Sequence, residues 1–562
     1  MEVQFGNKLC MMAEGDNSGD ALKPLVFRLH ENVPDVVHEV LLARGWSEYD
    51  EQEQDEAYWN LYWRNFPYRM TDHHSIKPWQ RLNHYPETIR ITRKDYLARH
   101  LKRMKGVYGA TLYEFSPEAF IMPNDYINFI AEYTKERQSP GRKPSYWICK
   151  PVDMSCGRGI LIFQDIKDFI YDCMVIVQRY ISNPLLFSGY KWDLRLYVCV
   201  TSFCPLTIYL YEEGLVRFAT EKFDLRSLDN IYAHLTNTSI NKFGPSYKKD
   251  KEGIGCGCKW TFSKLRSYMR SHNMNDLRLW QRITHIVTLT LLAITPSVPP
   301  TSNCFELFGF DILVDDKFKP WLLEVNYSPA LRLDCPIDAT VKKSLLHDLI
   351  ELLNYKEMDA LRENIGATSK ASLVGRSRVS STILNDESVS EDTPDCLAYR
   401  QDAECTIASP TQSLLQVARA PTAIRKINRE RPRKTVTSQL RERMNTPKTS
   451  LQSKSASKSK PILKARPPSH GSFQASRWLP SVELCNDQPT IPPYFLSDKD
   501  KRPFPRVGDF VLIFPFNDAA LESSRNGLDV KGVVQEIHKL MKKQLWLERQ
   551  KVKKMTDYVT FR

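Results

Sequence analysis

FELFGFDILVDDKFKPWLLEVN, running from Phe305 to Asn326, decides how the rest of the chain is read. Two apolar runs of strand length flank Asp315-Asp316-Lys317, a polar trio that reads as the turn of a hairpin. Pairing the arms about that turn places Asp311 opposite the neighbourhood of Glu324. Alternation with period two then puts Glu324 and Asn326 on one face. Three oxygen-bearing side chains converge there. Carboxylate and amide oxygens without sulfur or imidazole suit Mg2+, whose octahedron is completed by phosphates and waters. An ordinary strand pair with its polar residues turned outward fits the same pattern, and the residues of the hairpin leave both readings open.

The sequence on either side is of the same kind. The runs YWICKPVD, GILIFQDI, MVIVQRYI, DLRLYVCVTS and LTIYLYEEG are short, rich in β-branched and aromatic residues, and bounded by turn formers, so they predict strands. Helical patterns over Asn124 to Arg137 and Asn275 to Ala293 intervene. The expected class is therefore a mixed α/β body. Composition divides the chain into a disordered leader (1–22), this body (23–360), a polar basic tail (361–474) and a terminal strand and helix extension (475–562). In that last block RVGDFVLIFPFNDAALESS precedes a basic helix candidate over Val530 to Lys554.

Three further constellations in the body carry chemistry. Lys150 ends one strand, and Cys156-Gly157-Arg158-Gly159-Ile160 forms a glycine turn before the next. An ammonium beside a turn free of side-chain bulk suits the phosphates of a nucleotide, and a plain hairpin fits equally. Gln178-Arg179-Tyr180-Ile181 follows an apolar strand, where polar groups at a strand end could meet an adenine edge. Lys191, Asp193 and Arg195 share one strand face, and the apolar LYVCV that follows argues against a peripheral strand.

The net charge of +13 is concentrated rather than spread. From Arg425 to Arg466 there are fourteen Lys/Arg against two acids, which leaves the remainder nearly neutral. With few large apolar side chains, this segment is expected to be disordered when free. A polycation seeks nucleic acid, an anionic membrane or an acidic protein, and a solvated linker or a nuclear localisation patch fits as well. Met1 to Asp20 lacks the pattern of a secretory signal, and the apolar run His285 to Thr295 is too short for a membrane span, so a soluble protein is expected. The thirteen cysteines form no framework, and the pair Cys256 and Cys258 lacks a matching pair for zinc, so reduced thiols are the simpler reading.

The order of lysine, glycine turn, hinge, second lysine with aspartate, and late Glu-x-Asn resembles the ATP-grasp ligases. GYKWDLRLYVCVTS, IYLYEEGLVRFAT, HLTNTSINK, FELFGFDIL and KPWLLEVNYSPAL resemble the tubulin tyrosine ligase-like family more closely, over roughly Leu25 to Tyr355. The resemblance implies an ATP-grasp-like, multi-lobed ligase, most similar to a tubulin polyglutamylase. Such an enzyme uses Mg-ATP and free glutamate to extend glutamate side chains in the acidic tails of tubulin, through an acyl phosphate. It also implies a site. Lys150, Arg158, Gly159 and Ile160 would meet ATP phosphates, Gln178, Arg179, Tyr180 and Ile181 the adenine, and Lys191, Asp193, Thr236 and Asn237 the rest of the nucleotide. Asp311, Glu324 and Asn326 would hold magnesium, with Lys150, Arg158 and Glu324 at the chemistry. Arg217, Thr238, Ser239, Lys242 and Lys342 would hold the incoming amino acid, which agrees with the several cations that two carboxylates require.

Two positions depart from the family's usual pattern. Cys156 stands where related glutamylases often have Gln, and Thr238 where Tyr is common, which bears on initiation against elongation of side chains rather than on ATP. Rival readings are a glycylase, a microtubule-binding protein with a decayed site, and a nucleic-acid binder. Arg217 with Lys342 favours glutamate over glycine, the complete set of expected residues opposes decay, and the basic segment lacks interleaved aromatics for stacking on bases. A cytoplasmic location on microtubules, cilia or basal bodies follows from the resemblance, with no membrane partner. Deleting Arg425 to Arg466 is expected to leave ATP binding intact, weaken co-sedimentation with microtubules, and flatten its dependence on salt. Equal binding by both forms across a salt series would reduce the segment to a linker.

Overall fold

The computed structural model describes residues 23–139, 141, 144–301, 303–361, 502–525 and 527–560. The leader, the basic tail and the beginning of the terminal extension lie outside the described residues.

Seventeen strands form three sheets among the described residues. The first sheet is parallel, ordered β2-β1-β3-β4 from Val26–Leu29 (β1), Ser47–Glu48 (β2), Leu61–Trp63 (β3) and Arg81–Leu82 (β4). The second is antiparallel, ordered β5-β8-β6-β7 from Ala119–Met122 (β5), Trp147–Pro151 (β6), Leu161–Phe163 (β7) and Val175–Arg179 (β8). It packs on the Tyr126–Gln138 helix through Phe120, Phe129, Trp147 and Phe163.

The third sheet is organised by one long strand. Leu186–Phe187 (β9) turns into Tyr190–Phe203 (β10), followed by Leu206–Tyr211 (β11), Leu215–Phe218 (β12) and Lys259–Thr261 (β13). Glu306–Val314 (β14) and Pro320–Asn326 (β15) form the expected hairpin, with Arg506–Val507 (β16) and Phe510–Phe514 (β17) on the far side. One edge of β10 pairs with β12 and then β11, while the other edge pairs with β14 from Leu194 to Val200. Being paired on both edges and covered on both faces, β10 has to be apolar along most of its length. Its even-numbered residues Leu194, Leu196, Val198 and Val200 join the core that includes Ile283, Val287 and Leu291 of the Asp276–Leu292 helix. Tyr197 and Cys199, on the odd face, pack with Val341, Leu345 and Leu349 of the Pro336–Leu353 helix. Asp193 and Arg195 fall on that odd face too, before the apolar covering begins.

No described helix is long and apolar enough to cross a membrane, and the apolar run from His285 lies in the buried Asp276–Leu292 helix. The terminal block packs on the body. Strand β17 pairs with β11, setting Phe510 against Tyr211 and Leu512 against Tyr209. Phe514, Ala520, Val533, Val534 and Ile537 all enter the main core. Gly508 makes the tight entry to this strand possible. Its φ of 53° is left-handed, and a Cβ there would stand 2.2 Å from the Asp348 carboxyl carbon. Asp348 in turn accepts from the Asp509 amide at 2.9 Å and from the Tyr211 hydroxyl at 3.1 Å.

Phe514→Ala is expected to destabilise the whole body by about 3–5 kcal/mol, the range for truncating a buried aromatic side chain. Urea denaturation followed by circular dichroism measures it, and a loss below about 1 kcal/mol would mark the block as peripheral.

Candidate active site

The hairpin register pairs Asp311 with Glu324 and Gly309 with Asn326, as the turn predicts. On its other edge β14 pairs Asp311 with Arg195, so the acid lies between a guanidinium and a second acid. Arg195 grips it with two bonds, Nε to Oδ1 at 2.6 Å and Nη2 to Oδ2 at 3.1 Å. Arg217 reaches Oδ2 as well, at 2.8 Å, while its Nε donates to Asp193 Oδ1 at 2.8 Å. Thr236 Oγ1 donates to Asp193 Oδ2 at 2.8 Å. Two acids and two arginines thus form a buried lattice across β10, β12 and β14.

The two hairpin acids are driven apart in acidity. Burial opposes ionisation of Asp311, but Arg195 and then Arg217 hold its carboxyl well below the usual range. Glu324 is pushed up, first by burial and then by the Asp311 carboxylate beside it. Two carboxyls in contact, one held well below its ordinary acidity range and the other pushed above it, make a donor set that suits a cation. Asn326 lies on the same strand, with its amide nitrogen donating to the Gly309 carbonyl at 3.2 Å. Among the described residues no three His, Cys, Asp or Glu side chains gather as a metal cluster, so this pair would need the Asn326 amide and outside oxygens.

Beside the acids lie lysines without anions. Alternation on β6 and β8 puts Lys150 and Gln178 on one face, where Lys150 Nζ donates to Gln178 Oε1 at 2.8 Å. Burial lowers Lys150 to about 8, against the pull of Glu324. Lys191 Nζ donates to the Tyr180 hydroxyl at 2.9 Å and the His234 carbonyl at 2.8 Å, and burial lowers it to about 7. Neither lysine has a carboxylate within ion-pair distance among the described residues. A cleft lined by Thr92, Lys94, Lys150, Gln178, Leu323 and Glu324 joins the second sheet to the hairpin.

The loop that leads into the glycine turn is tied to the cleft through Lys94, which donates to the Met154 carbonyl. Cys156, Gly157 and Gly159 all have positive φ, and a Cβ on Gly157 would stand 2.5 Å from Ile240 Cδ1 and 3.1 Å from Asn237 Oδ1. The turn is therefore seated on the Thr238–Asn241 helix, where Ser239 Oγ donates to the Cys156 carbonyl at 3.2 Å. Arg158 and Gly159 are exposed, Ile160 is half-buried, and the Arg158 guanidinium pairs with no acid among the described residues.

Several expected residues lie elsewhere than beside the cleft. Arg179 alternates to the opposite face of β8, where it stacks on Trp147 at 4.7 Å and pairs with Glu118 and Glu136. Its side chain is thus turned away from the Lys150–Gln178 face, while Tyr180 and Ile181 beyond it are buried. Lys342 is buried on Asp338 at 2.9 Å and donates to the Arg332 carbonyl at 2.6 Å. Lys242 stands 3.9 Å from Asp334. Two residues add to the set. Lys94 donates to the Met154 carbonyl at 2.6 Å and lines the cleft, and Lys259, the strand partner of Arg217, pairs with Asp338 at 2.6 Å. Each is an isolated lysine in sequence, and only its strand or cleft neighbours mark it.

Residues 71–361 match the tubulin-tyrosine ligase family. The chain is 53% identical to the probable tubulin polyglutamylase TTLL2 of Homo sapiens, over 95% of this chain and 88% of that protein. Against the probable tubulin polyglutamylase TTLL2 of Mus musculus it is 50% identical, over 95% of each. The chain belongs to the tubulin-tyrosine ligase family. The tubulin polyglutamylase TTLL5 of Homo sapiens is similar over a shorter span, 36% identical across 57% of this chain and 25% of that protein. Membership agrees with the mixed α/β, ATP-grasp-like class expected from the motifs.

The depressed Lys191 has a consequence for folding. Between about pH 7 and 10.5 the unfolded chain binds more protons at this lysine than the folded chain does, so its contribution to stability rises with pH. The wild type should gain stability relative to Lys191→Met as pH is raised from 7 to 9, read as the difference in urea midpoints. A flat difference would mean that Lys191 keeps an ordinary pKa.

Proposed function

We propose that this chain is an ATP-dependent ligase that adds glutamate to glutamate side chains in the acidic C-terminal tails of tubulin. The observation that carries the reading is the adjacency of two unlike charge sets. The acid pair Asp311–Glu324 faces the anion-free Lys150 across the cleft, and next to that pair lies a group of cations, Arg195, Arg217, Lys259 and Lys342. The first set suits a metal-bound polyphosphate, and the second an amino acid with two carboxylates. Relatives named as tubulin polyglutamylases and a tubulin monoglutamylase support the choice of tubulin and of glutamate.

Bound Mg-ATP supplies the phosphoryl group that turns an acceptor carboxylate into a mixed anhydride. Asp311, Glu324 and Asn326 would hold the metal. Lys150, aimed by Gln178, and Lys94, tied to the backbone of the loop before the glycine turn, would neutralise phosphate oxygens. Arg158 on the exposed turn would add to them, and Lys191 would serve the nucleotide deeper in the site. An acceptor oxygen bonds to the γ-phosphorus as ADP leaves. The amine of glutamate then bonds to the acyl carbon as phosphate leaves, and one proton passes from nitrogen to solvent. No protein nucleophile takes part. The protein's share is positioning and charge neutralisation.

Incubating the protein with tubulin, ATP and each amino acid in turn, followed by mass spectrometry, tests the reading. Mass increments from glutamate are expected, and none from glycine. Glu324→Gln, which keeps side-chain volume and removes a metal-ligand charge, should abolish the increments with thermal stability retained. Increments at the wild-type rate in that variant would sink the metal assignment, and glycine increments would turn the reading to a glycylase.

A further inference from the structure

The cations around Arg217 are all engaged by the protein's own acids. Arg195 grips Asp311, Arg217 spans Asp193 and Asp311, and Lys259 and Lys342 share Asp338. Four cations against three acids leave a single net positive charge. An amino acid bearing two carboxylates cannot dock on cations so occupied unless an internal acid lets go. Asp338 is pinned between two lysines at the first turn of its helix, and Asp193 is fixed by both Arg217 and Thr236. Asp311 alone faces another acid, Glu324, across the hairpin. A divalent cation between those two would draw Asp311 toward the hairpin and loosen its contact with Arg217.

A second observation points the same way. The Tyr197 hydroxyl is fully buried and has no hydrogen-bond partner among the described residues. Tyr197 follows Asp193 and Arg195 on the odd face of β10, and it pairs with Gly309, two residues before Asp311. Its ring packs with Val341 and Leu345 on the helix that carries Asp338 and Lys342. The charged groups acting on the phenol are Arg195, Asp338, Arg217 and Asp311. A buried hydroxyl beside four charges and bonded to none is a donor that an entering acceptor would satisfy.

We propose that Tyr197 is a further carboxylate-binding residue of the amino-acid site, and that it and Arg217 receive the incoming carboxylate only after a divalent cation has drawn Asp311 away. This rests on the reading of the sheet face as an amino-acid site. Amino-acid affinity is then coupled to the metal-nucleotide, and by reciprocity the metal-nucleotide binds more tightly when the amino acid is present. Tyr197 and Arg217 are thereby matched to a ligand that brings its own carboxylate to a site the protein otherwise neutralises for itself.

Calorimetric titration of glutamate, alone and with Mg2+ and a non-hydrolysable ATP analogue, tests this on the full chain. The wild type should bind glutamate about ten-fold more tightly with the metal and analogue present. In Asp311→Asn the two affinities should be equal, because the charge that a metal would draw away from Arg217 is gone. Tyr197→Phe should keep the coupling, weaken glutamate about ten-fold, and leave the affinity for the analogue and the melting temperature unchanged or raised. Equal glutamate affinities with and without metal-analogue in the wild type overturn the coupling, and unaltered glutamate affinity in Tyr197→Phe overturns the role of Tyr197. In both cases the ligase reading stands. If glutamate fails to bind under any condition while glycine binds, that reading falls, and the inference with it.

Discussion

Asp311 is the constraint around which the sheet is built. A carboxylate with almost no exposure has to be compensated, and here that requires guanidiniums from two strands at bonding distance. Arg195 comes from the strand paired with Asp311, and Arg217 from the strand on the far side of β10. Three strands must therefore be in register before the charge is balanced. A one-residue slip of β14 would turn Asp311 into the apolar core on the even face and leave Arg195 without its acid. The lattice weighs against every alternative alignment of the sheet, even though its net contribution to stability is small once desolvation is counted.

The same register explains why a polar site can exist inside an apolar layer. Along the odd face of β10, Asp193 and Arg195 give way to Tyr197 and Cys199, so the site ends where the Pro336–Leu353 helix begins to cover the sheet. Tyr197 stands at that border, its ring on the apolar side and its hydroxyl toward the charges. The Asp276–Leu292 helix backs the even face with Ile283, Val287 and Leu291, a surface with no polar requirement. The proposed site thus occupies one end of one face of the strand, and apolar packing takes the rest of it.

Much of this was legible in the residues because the relevant rules are local. The turn at Asp315 to Lys317 sets the hairpin, the hairpin sets Asp311 opposite Glu324, and period two groups Lys191, Asp193 and Arg195. Applied to β8, the same rule would have separated Arg179 from Gln178, and taking the four residues 178–181 as one unit concealed that. Lys94 and Lys259 were not legible, since what marks them is a cleft and a strand partner distant in sequence. The occupation of Arg217 by Asp193 and Asp311, and of Lys342 by Asp338, was equally hidden, because residue type tells of charge and not of what already neutralises it. The run FVLIF was readable as a strand, but nothing local says that it lies against β11.

That last pairing gives the protein an order of events in time. Strand β11 is finished at Tyr211, yet the strand that covers its edge begins at Phe510, and residues 212–509 intervene. At a synthesis rate of roughly 5–20 residues per second, the gap amounts to on the order of ten seconds or more on the ribosome. Throughout that interval the β11 edge, with Ile208, Tyr209 and Leu210 along it, has open hydrogen-bonding groups and no strand to fill them. A message cut short before Phe510 would fix the nascent chain in that condition, with the residues of the proposed site all present and an uncovered sheet edge inviting other chains. Quality control of this protein should therefore be sensitive to the integrity of a segment that carries none of its proposed chemistry.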